Sequence, residues 1–320
     1  MSNKIMIVGT GNVGASIAFA LANRHTAVRE IVLTDIAAQD AEGEAMDLSD
    51  ALSVSPSYIK IYNGTYAEAR DCDIVILTAG APQKPGESRL DLVQKNSEIT
   101  KSVVGQIMQS GFNGIFIVVA NPMDILTFFT YHYSKLPAGQ VIGTGTTLDT
   151  SRLQFRLASF LNVNMRAIHA YQIGEHGDSE FTAWSLANMG GQKITSLLPF
   201  ETLEGIEEHV RKEAYDIIEK KGATYYGIAA CVVQIIESIL NDEHQVFCVS
   251  NFDPNSGVYY GYPAIVGRKG IERRLNLSLS NGERIKLQKS INVIRSTITE
   301  TIEHSYVSKT KKINKKNEEK

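Results

Sequence analysis

Val8-Gly9-Thr10-Gly11-Asn12-Val13-Gly14 follows an apolar run, Lys4–Val8, and opens a stretch patterned as a helix over residues 13–23. A G-x-G-x-x-G pattern alone says little. Between a strand and a helix, its glycines allow a tight turn, a close pyrophosphate approach and close helix packing. The helix N-terminus then offers amides and partial positive charge to a phosphate. The second strand, Glu30–Thr34, ends at Asp35, 21 residues past Gly14. That is near the spacing at which a carboxylate meets a ribose diol, and an acid there repels a 2′-phosphate, favouring NAD over NADP. The plain alternative is an Asp capping the end of a strand.

Outward from this turn, strands at 59–62, 73–77, 114–119 and 140–143 alternate with helices at 38–52, 90–110 and 124–133. The fold class expected is α/β: a Rossmann doubly wound parallel sheet over residues 1–144. A mixed α/β (α+β) substrate domain over 145–306 follows. It has helices at 148–160, 203–220, 225–240 and 281–303 and a strand region around 182–187. An antiparallel group at 245–250, 257–260 and 264–267 turns through Pro254-Asn255-Ser256-Gly257. Residues 307–320 read as a charged, disordered tail.

The 320 residues are 43% hydrophobic and 21% charged, an ordinary globular composition at a length that suggests two closely packed lobes. Net charge is −3, but residues 309–320 hold six Lys and two Glu, leaving 26 basic against 33 acidic residues in the body. No nucleic-acid partner is therefore expected. No apolar run spans a bilayer, and the N-terminus enters a strand without a cleavage pattern, so neither a membrane nor a signal peptide is expected. Cys72, Cys231 and Cys248 lack metal or disulfide spacing. The expected address is the cytoplasm, with no metal.

Four stretches carry the polar candidates. Gly174-Glu175-His176-Gly177-Asp178-Ser179 displays one imidazole between glycines, either as a proton shuttle or as a structural hydrogen bonder. Thr78 to Arg89, with two prolines and two glycines, reads as a mobile loop at the carboxyl end of a strand, over the cofactor crevice. Asn121 precedes Pro122 at another strand end, where an ordinary turn is equally consistent. Asp149 and Arg152 share a helix face, as a surface pair or as a carboxylate that orients an imidazole beside a guanidinium that grips an acid.

Five ordered motifs resemble the lactate/malate dehydrogenase family, its NAD-dependent L-lactate dehydrogenases in particular, from Lys4 to about Glu303. They are Val8 to Gly14, Gln83-Lys84-Pro85-Gly86-Glu87-Ser88-Arg89, Asn121-Pro122-Met123-Asp124, Leu148-Asp149-Thr150-Ser151-Arg152 and Gly174-Glu175-His176-Gly177-Asp178. The resemblance implies reversible hydride transfer between NADH and pyruvate, giving L-lactate at the fermentative end of glycolysis. By it, His176 exchanges the proton, Asp149 holds the imidazole and Arg89 polarises the carbonyl. Arg152 binds the carboxylate, with Gln83, Asn121 and Thr224 around the substrate. The cofactor falls to Gly9, Gly11, Asn12, Val13, Gly14 and Asp35, and to Thr78, Ala79, Gly80 and Asn121.

Malate and branched-chain 2-hydroxy acid dehydrogenases are rivals of the same class. Ala81-Pro82 and Ala223 border the expected side-chain pocket. NAD-dependent glycosidases would need Cys or His metal ligands at the site, and the cysteines lie outside the motifs. A non-catalytic NAD-binding role is a third class. The resemblance also implies a homotetramer or homodimer. Many bacterial relatives are activated by fructose 1,6-bisphosphate through an Arg and a His; here those positions are Gln154 and His169, so activation is expected to be weak or absent, unless Arg156 substitutes.

Overall fold

Residues 2–82 and 88–318 are described in a computed structural model, excepting the side chains of Arg89 and 305–318. Gln83 therefore lies outside the described residues. The first half alternates β1 (Lys4–Val8), α1 (Asn12–Ala22), β2 (Glu30–Thr34), α2 (Ala38–Leu52), β3 (Lys60–Asn63) and β4 (Ile74–Leu77). Then come α3 (Arg89–Gln109), β5 (Ile115–Val118), α4 (Met123–Ser134), β6 (Val141–Gly143) and α5 (Thr147–Leu161).

Short strands follow: β7 (Ile168–His169), β8 (Gln172–Ile173), β9 (Phe181–Thr182), β10 (Asn188–Met189) and β11 (Gln192–Lys193). Two helices, α6 (Phe200–Lys221) and α7 (Tyr226–Asn241), lead to β12 (Gln245–Phe247), β13 (Ser250–Asp253) and β14 (Val258–Gly261). The chain closes through β15 (Ala264–Gly267), β16 (Gly270–Arg274) and α8 (Asn281–Glu318).

The main sheet has the order β14-β13-β6-β5-β4-β1-β2-β3, with β1 to β6 parallel. Its strands are near-continuous apolar runs because both faces are covered. Ile5, Ile7, Ile74 and Ile76 pack with Ile17 of α1 and Val232 of α7. Met6, Val8, Val75 and Leu77 pack on the opposite face with Val104 of α3 and Leu126 of α4. The winding reverses between β1 and β4, so the crevice opens at their carboxyl ends.

Three expectations change. The antiparallel group divides: β13 and β14 join the main sheet through the pairing of Ser250 with Gly143, while β12, β15 and β16 form a separate sheet. The second half thus completes the first instead of standing wholly apart. The strand expected at 182–187 is only Phe181–Thr182; turns then follow, and Trp184 leaves the strand to donate from Nε1 to Glu207 at 2.8 Å. Finally, α8 continues to Glu318, past both the expected end at Glu303 and the tail expected to be disordered. Residues 304–318 contain neither Gly nor Pro, and Lys is a good helix former.

Candidate active site

His176 is brought to the crevice by anchors from three elements. Its backbone N–H donates to Asp124 of α4 at 2.7 Å. Asp124 also accepts from the Ser250 hydroxyl, so the histidine loop is tied to β13 of the main sheet. The preceding residue, Glu175, donates its N–H to Ser290 of α8 at 2.6 Å. Burial pushes the Asp124 carboxyl up to about 7, although Ser250 and the His176 N–H favour its ion.

The imidazole Nδ1 lies 2.8 Å from Asp149 Oδ2. Asp149 sits in the first turn of α5, and Arg152, one turn on, donates Nη1 to its other oxygen at 3.0 Å. Burial alone would raise the Asp149 carboxyl, but His176 and Arg152 overcome this and lower it. Burial pulls His176 down, but the charge and hydrogen bond of Asp149 carry the imidazole up to about 9. Since 29% of its side-chain surface stays open, water screens part of that pull.

Glu180 joins this group unannounced by any motif. Asp149, His176 and Glu180 bring ligand-type atoms within 4.8 Å of one another, a donor set that could take a cation. In the structure, Asp149 is already shared by two positive partners.

The glycine turn fits a dinucleotide. A Cβ on Gly14 would stand 1.9 Å from the Gly9 carbonyl oxygen, so that position serves close packing of helix on turn. A Cβ on Gly11 would meet nothing within 4 Å: the backbone there is bare and open. Gly11 is the N-cap of α1 without a side-chain cap bond, which leaves the amides of Asn12, Val13 and Gly14 for an anion. Asp35, at the end of β2, accepts from the Thr10 N–H at 2.7 Å and the Ala37 N–H at 3.1 Å. Its carboxylate therefore stands beside the turn.

Thr78 faces the turn, its hydroxyl within 2.9 Å of the Val8 carbonyl and 2.7 Å of the Gly9 carbonyl. The Ala79 N–H also donates to Val8. Gly80 follows at the same strand end. Asn121 is exposed at the end of β5, in a cis bond to Pro122. Thr224 is half-buried just before α7, whose Gly227 packs against Leu148 beside Asp149. Arg89 opens α3; its side chain is not among those described.

Sequence reasoning missed Asn96. It is 2% exposed on α3, accepts from the Ala81 N–H at 2.8 Å and donates to the Asn121 carbonyl at 2.9 Å. One buried amide thus joins the loops after β4 and β5. A polar residue inside an apolar helix face was the available signal.

Residues 3–143 match the family described as lactate/malate dehydrogenase, NAD binding domain, and residues 146–305 match its alpha/beta C-terminal domain. The chain is 46% identical over 306 residues to L-lactate dehydrogenase 2 of Bacillus cereus (strain ATCC 10987 / NRS 248), covering 92% of this chain and 97% of that protein. Among solved structures, the ligand-bound minor L-lactate dehydrogenase of Enterococcus mundtii is 42% identical with a TM-score of 0.91, over 93% of this chain and 98% of that one. The apo malate dehydrogenase of Picrophilus torridus is 30% identical with a TM-score of 0.89, over 96% and 99%.

Proposed function

The chain belongs to the lactate/malate dehydrogenase family, and on that premise we propose that it interconverts pyruvate and L-lactate. It is an oxidoreductase, and its cofactor is NAD. The observation that carries the reading is the shared carboxylate of Asp149, with His176 on one oxygen and Arg152 on the other.

When bound, NAD supplies or accepts the hydride. Gly11 and the first-turn amides of α1 would hold its phosphates, and Asp35 its ribose diol. With Nδ1 committed to Asp149, His176 exchanges the substrate proton at Nε2. Asp149 stabilises the imidazolium and fixes the ring. Arg152 carries five N–H donors, so the bond to Asp149 leaves others to grip the substrate carboxylate. Arg89 is assigned to the developing charge on the carbonyl oxygen. Gln83 is assigned to the methyl group, Asn121 to the nicotinamide side and Thr224 to the pocket wall.

The neutral Gln83 favours pyruvate over oxaloacetate. A broader range over branched-chain 2-oxo acids is the second reading, supported by the small Ala223. We divide the chain near 144, where the two family matches meet, and place the protein in the cytoplasm as a homotetramer or homodimer. No helix among the described residues is long and apolar enough to cross a membrane.

The test is pyruvate-dependent loss of NADH absorbance after dialysis against a chelator, with oxaloacetate and longer 2-oxo acids alongside. Chelator-resistant turnover, best with pyruvate, is expected. A preference for oxaloacetate overturns the lactate reading, and metal-dependent activity overturns the mechanism.

A further inference from the structure

Glu180 opens the segment leading into β9 and is 4% exposed. Its Oε1 accepts from Gln172 Nε2 at 3.1 Å, and Gln172 Oε1 accepts from the Thr182 hydroxyl at 2.7 Å. The Gln172 backbone is pinned in turn: its N–H donates to Thr150 Oγ1 at 3.0 Å, and its carbonyl accepts from Thr146 at 2.6 Å. The neutral amide is therefore held with its donors towards Glu180.

On the other side lie Asp149 and His176, within 4.8 Å. Two carboxylates this close, away from water, do not both ionise. Asp149 has a guanidinium and an imidazole and keeps the charge, whereas Glu180 has a neutral amide.

We propose that Glu180 is a protonated positioning residue whose hydroxyl donates to Asp149 and so moderates how tightly Asp149 holds the His176 proton. Burial, reinforced by the Asp149 charge, raises the Glu180 carboxyl well above its ordinary range. The groups facing this cluster are few. Asp149 and Arg152 come from α5, His176 from the loop after β8, and Asp124 from α4 on the far side of His176. Cys231 and Cys248 flank Asp149 as thiols, which burial pushes up to about 11 and about 12.

A carboxylic acid and an amide share one shape and one donor–acceptor pattern, so Glu180→Gln mimics the protonated form. Glu180→Leu removes the donor, leaves Asp149 a stronger partner for the imidazolium and raises the His176 pKa. The inference rests on the proposed reading that His176 exchanges the substrate proton, so one measurement is made without turnover. Infrared difference spectra of the intact protein at neutral pH, native against Glu180→Gln, should show loss of one un-ionised carboxylic acid carbonyl band. In pyruvate reduction, Glu180→Gln should keep kcat/KM within about threefold with an unchanged basic limb. Glu180→Leu should move that limb up by about one pH unit.

Absence of the band, or a lowered limb in Glu180→Gln, shows Glu180 ionised and overturns the proposal. Unchanged limbs in both variants also overturn it, leaving a packing role only. Thermal unfolding and NADH binding establish that the variants fold, and if Glu180→Leu does not, the infrared band and the Gln profile still decide. A native protein that binds NADH but ignores pyruvate refutes the functional reading, while the band still reports on Glu180.

Discussion

Arg152 reaches back one turn of α5 to place Nη1 3.0 Å from Asp149 Oδ1, so the arginine assigned to the substrate also holds the carboxylate that orients the imidazole. Arg152→Lys loses the planar fork and cannot serve both acids with the same geometry. The expected outcome is a rise in the pyruvate KM of about 10- to 100-fold, the range of one charge-assisted contact, with NADH affinity retained. Parallel loss of NADH binding would place Arg152 in the scaffold alone.

Replacing His176 by Asn should leave NADH binding intact and lower turnover by about 10²–10⁴-fold, the usual contribution of general acid–base catalysis. In the native protein, pyruvate reduction needs the imidazolium and should fall as pH rises through about 9, while lactate oxidation rises. The raised value also adds stability that is full below the ordinary histidine range and lost as pH climbs through about 9. Asp149→Asn should move the reduction limb towards acid; an unmoved limb would separate Asp149 from the proton.

Asn96→Leu should strip the Ala81 N–H and the Asn121 carbonyl of their shared partner. Leaving such groups unmade costs about 1–3 kcal/mol each, so both thermal stability and NADH affinity should fall. A less stable protein with native NADH affinity would limit Asn96 to folding.

Gln83→Arg should gain oxaloacetate activity and lose pyruvate activity. A second carboxylate in the native site would lack a cation, and removing one partner of a buried pair costs about 3–5 kcal/mol. That is roughly two to four decades in specificity constant. Measuring kcat/KM for both acids in both forms decides it, and an Arg variant without a shift removes Gln83 from substrate discrimination.

Fructose 1,6-bisphosphate should change the pyruvate KM little. Gln154 donates its amide to the Ala170 carbonyl at 3.2 Å, and Arg156, the available substitute, lies 3.6 Å from Glu213 on α6. His169 alone is exposed on β7. A large fall in KM on adding the bisphosphate would refute this.

The strand–turn–helix units were readable because their signals are local: apolar runs, glycines and strand-end polar residues a few positions apart. The same holds for Asp149 and Arg152, which one helical turn brings together. Glu180 and Asn96 were not readable, since each gains its meaning from chain segments that only tertiary packing brings near. Glu175 and Ser290, 115 residues apart, are another such case. The split of the antiparallel group was hidden for a related reason, because strand propensity does not say which sheet edge a strand will join.

The pairing of Ser250 with Gly143 has a consequence for synthesis on the ribosome. The parallel half emerges first, with the β6 edge bare and the sheet face that α7 later covers exposed to water. That intermediate presents both an unpaired edge and apolar surface until about residue 260 has left the exit tunnel. The first 143 residues produced alone should therefore aggregate or recruit chaperones, although they contain every segment of the nucleotide fingerprint.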